Sequence, residues 1–505
     1  MSLEKFKEEI NAGYTFKGDS FVIGGAMLEG TPVADAQIKI PLKSLNRHGL
    51  IAGATGTGKT KTLQVFVEQL SEKGIPSLLM DLKGDLSGLA MPGALNKHIE
   101  WRHGAIGVPY EPKAMPIELM TISGEKGVKL KATISEFGPV LISKILDLNT
   151  TQSGILAVIF QYCDDKKMPL LDIKDLKKLL LYAKEEGNEE FAAEYGAMSS
   201  MSVGTILRKV VELEQQGADM FFGELSFDVN DLLRTTNDDK GIINIIRLTD
   251  IQDKPKLFST FMLSLLAEVY HEFPEQGDAD KPKLCIFIDE AHLVFDNASK
   301  PLLDQIEAIV KLIRSKGVGV YFITQNPMDV PSAVLSQLGL KIQHALRAFT
   351  ANDRKAIKQT AENYPITPYF KTDEVLTSLG IGEALVTCLN EKGIPTPLAA
   401  ALMCAPLTRM DILTDSEINE VVAKSKLVSK YNKEIDSESA YEILNKKIEK
   451  LQVEEEVKEE TKPKPSVKKG PSILESVSKN TMVRQIGRTL MRELTRGLLG
   501  KWGKK

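Results

Sequence analysis

The stretch 49–60, GLIAGATGTGKT, constrains what this chain can fold into more than any other. LIAG reads as a short buried strand, and Gly53, Gly58, Lys59 and Thr60 fit the phosphate-loop spacing G-x-x-x-x-G-K-[ST]. Glycines let the backbone curl so that successive N–H groups converge on a polyphosphate, while Lys59 adds a positive charge at the outer phosphates. Thr60 then opens a helix, its hydroxyl free to ligate magnesium and the helix N-terminus facing the anion. The candidate nucleotide cradle is therefore Gly53, Ala54, Thr55, Gly56, Thr57, Gly58, Lys59, Thr60 and Lys61.

The following segment KTLQVFVEQLSEKG predicts a helix ended by Gly74, with Leu63, Phe66, Val67 and Leu70 on one stripe. A strand directly after this crossover helix should run parallel to the first and open its carboxyl end toward the phosphate loop. PSLLMDLKGDLSG supplies it, which puts Asp81 within reach of the nucleotide or its waters; a solvated DLKGD loop is the plainer alternative. KLCIFIDEAH is a second buried strand, delivering Asp289 and Glu290 at its end. Asp289 is placed to hold a magnesium shell, and Glu290 to polarise an attacking water. GVGVYFITQNP is a third, closing on Gln325, whose amide can bond both a terminal phosphate and the lytic water. Arg314, at the end of the helix between those strands, suits either a phosphate in a neighbouring subunit or simple helix capping. Arg347 and Arg354 are further candidates for the first of these roles.

Around this core the chain changes character several times. Residues 1–45 form a short β segment, with FVIGG and AQIKIPL as strands; 46–91 and 241–405 make the two parts of the nucleotide-binding core, the second closing on a hairpin in 382–400. Between them, 92–240 reads as a mostly helical insertion, with a helix start at Asp172. Polar helices follow over 406–450, then a charged, proline-containing linker over 451–480. The last piece, 481–503, is a basic amphipathic helix with Arg484, Arg488, Arg492 and Arg496 on one face and Ile486, Leu490, Leu494 and Leu498 on another. Residues 462–505 carry twelve Lys/Arg against two Glu in a chain whose formal net charge is −4. That balance excludes a uniformly basic nucleic-acid coat, so any nucleic-acid contact must be local. The basic helix suits phosphates, an acidic membrane or an acidic protein groove.

The four cysteines form no close pair, as expected of a reducing, cytoplasmic setting, and the six histidines show no zinc spacing. No run approaches the length and apolarity of a spanning helix, and Met1–Asn11 lacks the apolar core of a signal peptide.

Together GATGTGKT, DLKGD, IFIDEAH, the arginine 24 positions after Glu290 and VYFITQNP resemble the HerA/FtsK-like branch of P-loop ATPases, with a closer similarity to bacterial HerA-like proteins of the DUF853 (YjgR-like) group. The similarity covers about 46–400 and the RQIGR…RGLLG tail. It implies an α/β, RecA-like P-loop NTPase core that uses ATP and Mg2+. Lys59 and Thr60 would hold phosphates and metal, Asp289 would support the metal, Glu290 would be the catalytic base, Gln325 the sensor and Arg314 a finger acting in trans. It also implies a homo-oligomer, a hexameric ring, and a DNA translocase or helicase acting on double-stranded DNA. Two departures bear on that last expectation: neither the long N-terminal barrel of archaeal HerA proteins nor a winged helix is evident here. An ATPase remodelling an unidentified protein partner, or a nucleotide-controlled interaction module with little turnover, are the rival readings. Glu290 speaks against the last, because a pure binder gains nothing from a placed base. No motif encodes a preference for adenine.

Overall fold

The computed structural model describes residues 3–277, 279–295, 300–435 and 437–460. The expected basic helix at 481–503 lies outside the described residues. The described residues divide into two compact units, one within 3–131 and 225–434, the other within 132–224 and 435–460.

The first unit is built on twelve strands: β1 Ser20–Leu28, β2 Thr31–Pro41, β3 Gly49–Ala52, β4 Ser77–Asp81, β5 Ile117–Thr121, β6 Val128–Lys129, β7 Ile243–Arg247, β8 Leu284–Ile288, β9 Val318–Thr324, β10 Leu340–His344, β11 Glu383–Thr387 and β12 Ala399–Met403. They form one sheet in the order β2-β1-β12-β11-β10-β3-β9-β8-β4-β7-β5-β6. From β10 through to β6 every pairing is parallel, and β11, β12, β1 and β2 extend the other side antiparallel. The fold is mixed α/β with a RecA-like core. Strands β3, β4, β8 and β9 are buried on both faces, which is why they read as continuous apolar runs rather than alternating ones.

The helix Lys59–Glu72 buries Leu63, Phe66, Val67 and Leu70, the stripe read from the sequence. Phe66 anchors it, with ring centroids 5.2 Å from Phe21, 5.7 Å from Phe287 and 5.3 Å from Tyr321. One side chain thus ties β1, β8 and β9 to the helix that starts at the phosphate loop.

The structure departs from the domain boundaries expected from the sequence at four places. Residues 92–131 do not leave the core: β5 and β6 add two strands to the sheet, because Leu119, Met120 and Val128 bury themselves there. The 406–450 extension is divided, its helices Asp415–Lys424 and Lys426–Tyr431 in the first unit and the start of the helix Ala440–Glu460 in the second. That helix also takes in 451–460, where Glu, Lys and Val replace the helix breakers of a linker, so the linker expected from 451 does not begin there. The N-terminal strands β1 and β2 belong to the main sheet, joined to it through β12.

The second unit is helical, built from Ile134–Ile145, Thr150–Lys166, Ile173–Lys184, Asn188–Glu194, Ser200–Leu213 and Ala440–Glu460. Asp172 caps its helix by accepting from Lys174 N and Asp175 N. The last helix is fastened by Tyr441 N donating to Asp175 Oδ1 at 2.8 Å and Lys447 Nζ donating to Glu190 Oε2 at 2.7 Å. Among the described residues no helix is long and apolar enough to cross a membrane.

Candidate nucleotide site at the carboxyl ends of β3, β8 and β9

Because β3, β9 and β8 are parallel neighbours, in register at Ala52 with Thr324 and Ile288 with Phe322, their carboxyl ends open on one edge of the sheet. That edge brings together the phosphate loop after β3, Asp289 and Glu290 after β8, and Gln325 after β9. Thr55 Oγ1 donates to Gln325 Oε1 at 3.3 Å, directly linking loop and candidate sensor. Downstream, Asp329 Oδ2 accepts from Thr324 Oγ1 at 2.5 Å and from Asn326 N at 3.1 Å, which fixes the backbone on both sides of Gln325.

The loop leaves β3 through Gly53, whose φ of +151° and whose missing Cβ, which would stand 2.5 Å from His344 Cβ, both demand glycine. At Gly56 nothing lies within 4 Å of a Cβ position, so this side of the cradle is open. Lys59 Nζ donates to Gly53 O at 2.6 Å and Ala54 O at 3.1 Å. Burial, and then the charge of Lys83, hold its pKa below the usual lysine value. Lys61 reaches away from the cradle, its ammonium donating to Met410 O at 2.5 Å.

Asp289 and Glu290 are both buried. Asp289 Oδ1 accepts from Glu290 N at 2.9 Å, and its carboxyl is pushed up to about 7 by burial and by the charge of Glu290. Glu290 itself sits at φ +48°, a left-handed conformation uncommon for a residue with a side chain. Its Oε1 pairs with Lys83 Nζ, and its Oε2 lies 3.3 Å from His292 Nδ1. The donor set of Thr60 hydroxyl and Asp289 carboxylate is the hard-oxygen chemistry that magnesium takes. Among the described residues no three His, Cys, Asp or Glu side chains gather as a metal cluster; a phosphate-loop metal needs none, since phosphate and water complete its shell.

One expectation changes, and Arg314 stands apart from the cradle. Asp81 does not turn to the cradle: its carboxylate accepts from Gly84 N, Asp85 N and Leu86 N at 2.7, 3.2 and 3.1 Å, shaping the turn that carries Lys83. Arg314 lies at the opposite end of the sheet from the phosphate loop, before β9 rather than after it. It lines a cavity of about 380 Å³ with Lys43, Arg47 and Lys311, and its charge adds to the burial that pushes His48, just before β3, down to about 4. Seven residues of β9 separate the two edges, roughly 20 Å at a strand's rise, so Arg314 cannot reach its own chain's loop.

The sequence reading missed Lys83, Arg47 and His344. His344 Nδ1 donates to Glu383 O at 2.8 Å, and burial pushes its pKa down to about 4, so the neutral ring leaves Nε2 to accept from Thr62 Oγ1 at 3.0 Å. It is a wedge between β10, the loop and the first turn of the helix. A histidine closing an amphipathic strand carries no local signal of that task; Lys83 did carry one, as the lone cation in DLKGD.

The chain is similar to known proteins in sequence and in fold. Residues 27–505 match the family described as Helicase HerA-like C-terminal. The chain is 23% identical over 359 residues to the DNA double-strand break repair helicase HerA of Sulfolobus acidocaldarius, covering 70% of this chain and 64% of that protein. It is 24% identical to the DNA import protein CedB of the same organism, covering 70% of this chain and 52% of CedB. It thus spans less than two thirds of either relative. In fold it is similar to the plasmid coupling protein TrwB, solved with ADP and Mg2+, at a TM-score of 0.52 and 13% identity, covering 79% of this chain and 99% of TrwB. With a family match over nearly its whole length, the chain belongs to the HerA-like helicase C-terminal family of P-loop ATPases.

Proposed function

We propose that this protein hydrolyses ATP with magnesium, works as a homo-oligomeric ring in the cytoplasm, and couples turnover to the movement of double-stranded DNA. The observation that carries the reading is the convergence of the Gly53–Thr60 loop, Asp289, Glu290 and Gln325 on one sheet edge. Bound magnesium would neutralise charge on the outer phosphates and orient them. Lys59 would draw the same phosphates into the loop, Thr60 and Asp289 would hold the metal shell, and Glu290 would accept the proton of the attacking water. Gln325 would sense the terminal phosphate and, through Thr55, feel the state of the loop. Arg314 would serve the next subunit's site, a role its place across the sheet leaves open to it and closes to the loop of its own chain.

DNA enters from the relatives HerA and CedB, both named for DNA tasks. The formal net charge of −4 favours no broad nucleic-acid surface, which is why an ATPase directed at a protein partner is the second reading. ATPase rates of the full chain with and without long duplex DNA, at about 50 and 200 mM salt, separate the two. Stimulation at low salt that fades steeply at high salt is expected, because phosphate contacts release counterions. Turnover without DNA binding or stimulation would move the assignment to the protein-directed ATPase. Glu290→Gln should lower turnover roughly 10²- to 10⁴-fold while nucleotide still binds; wild-type turnover no higher than that of the variant would remove the enzyme assignment.

A further inference from the structure

Lys83 projects from the turn after β4, one strand beyond β8 in the sheet, and its ammonium pairs with Glu290 Oε1. The turn is built to hold it there. Asp81 gathers three N–H groups of the next residues, and Gly84, at φ +75°, has Thr249 Cγ2 only 2.9 Å from where a Cβ would stand. The Lys83 side chain is 40% exposed and Glu290 8%. The cation therefore comes from the solvent side and covers a carboxylate that is otherwise buried. The second oxygen of that carboxylate faces His292 Nδ1. Burial works against the ammonium of Lys83, but its bond to Glu290 and the charges of Asp289 and Glu290 outweigh this and hold its pKa above the usual lysine value. The same ammonium is near enough to Lys59 to depress that group. Two cations on different loops thus stand near each other, one bonded to the phosphate loop and the other to Glu290.

A carboxylate takes a proton from water through a lone pair directed at that water. Oε1 of Glu290 is paired with Lys83 and Oε2 stands 3.3 Å from His292 Nδ1, so each oxygen already has a nitrogen of another side chain beside it. We propose that Lys83 is a positioning residue that holds Glu290 in a non-catalytic position, and that hydrolysis requires the Lys83–Glu290 pair to open. The proposal rests on the ATPase reading for its consequence, and on the Lys83–Glu290 pair alone for its structural part.

Both parts can be tested on the full chain. Pulse labelling with an amine-reactive reagent, read by mass spectrometry at Lys83, tests the pair without nucleotide or turnover: labelling should be slow in the wild type and faster in Glu290→Gln. Equal labelling in the two proteins would overturn the pair whether or not the protein is an ATPase. For the consequence, Lys83→Met should raise basal kcat about two- to fivefold, the modest size expected for a pair with one half-exposed partner. The Kd of a fluorescent ATP analogue should stay unchanged, and Lys83→Arg should restore the low rate. In the Glu290→Gln background Lys83→Met should change nothing. A lower kcat, a weaker Kd or an effect that persists in that background would overturn the positioning role; in those cases Lys83 would be an activator or a phosphate ligand. If the wild type shows no turnover above Glu290→Gln, the ATPase reading fails instead, and the labelling result still decides the pair.

Discussion

Lys59 spends its ammonium on two carbonyl oxygens of its own loop, Gly53 O and Ala54 O, and so sits inside the curl rather than in front of it. Neutral carbonyls compete poorly with a polyphosphate for a charged donor, because the anion adds the attraction of opposite charges to the hydrogen bond. Lys59→Ala should therefore weaken nucleotide binding roughly 10- to 100-fold, the loss of one charge-assisted bond, as titration with a fluorescent ATP analogue would measure. A Kd within twofold of wild type would mean that Lys59 does not meet phosphate. Lys59 and Glu290 were legible in the sequence because each motif is contiguous: a buried strand followed at once by its chemistry. His344 and Lys83 were harder. What His344 does depends on Thr62, 282 positions away, and what Lys83 does depends on Glu290, and no local pattern reports a pairing made by strand order. Asp81 shows the converse: the strand end was read correctly, but three N–H groups of the following turn claim the carboxylate.

At the scale of elements, the segment after β12 shows how the phosphate-loop helix is held. Glu68, buried on that helix, accepts from Leu407 N and Thr408 N at 3.0 Å each and from Thr408 Oγ1 at 2.5 Å. Gln64 Nε2 donates to Arg409 O at 3.3 Å, and Lys61 to Met410 O. Burial pushes the Glu68 carboxyl up to about 7 against the pull of these bonds, from 4.5 for an ordinary glutamate. The sign follows from linkage. Below about 4.5 the folded and unfolded chains both hold the proton and the contribution is complete; between 4.5 and 7 only the folded chain holds it, so stability falls as pH rises; above 7 the loss is complete. The slope from this one group is at most about 1.4 kcal/mol per pH unit. Unfolding of wild type and Glu68→Gln compared from about pH 5 to 8 should show the wild type losing ground to the variant as pH rises. A difference that stays flat would mean that Glu68 is ionised throughout. Sequence periodicity gave the helix and its stripe, but not this strap, because a segment held by backbone N–H groups leaves no side-chain pattern. The same limit explains the boundaries. β6 is two residues long, too short for any alternation to register, and it was absorbed into a helical reading of 92–240.

For the whole molecule, the question is how Arg314 could meet a phosphate. Within one chain it cannot, since the length of β9 stands between it and the loop. It shares a cavity with Lys43, Arg47 and Lys311, and Glu391 is the one acidic side chain lining that cavity among the described residues. Glu391 is already engaged, its Oε1 accepting from Lys17 N at 2.7 Å and Gly18 N at 3.2 Å. A basic recess at the edge of the sheet away from the loop fits a ring in which that edge of one subunit meets the nucleotide edge of the next. The sequence supplied Arg314 by its distance from Glu290, but not Arg47, which only folding brings beside it. In such a ring a site draws Glu290 from one chain and Arg314 from its neighbour. Rings of Arg314→Ala alone and of Glu290→Gln alone should both be nearly inactive. Mixed rings contain junctions where the wild-type Glu290 of one subunit meets the wild-type Arg314 of the next, and these should recover activity in proportion to their number. Activity that fails to return in mixed rings verified by native mass spectrometry would rule out a site shared in this way by Arg314. The same mixing with Arg47→Ala would then show whether the recess contributes through its other arginine.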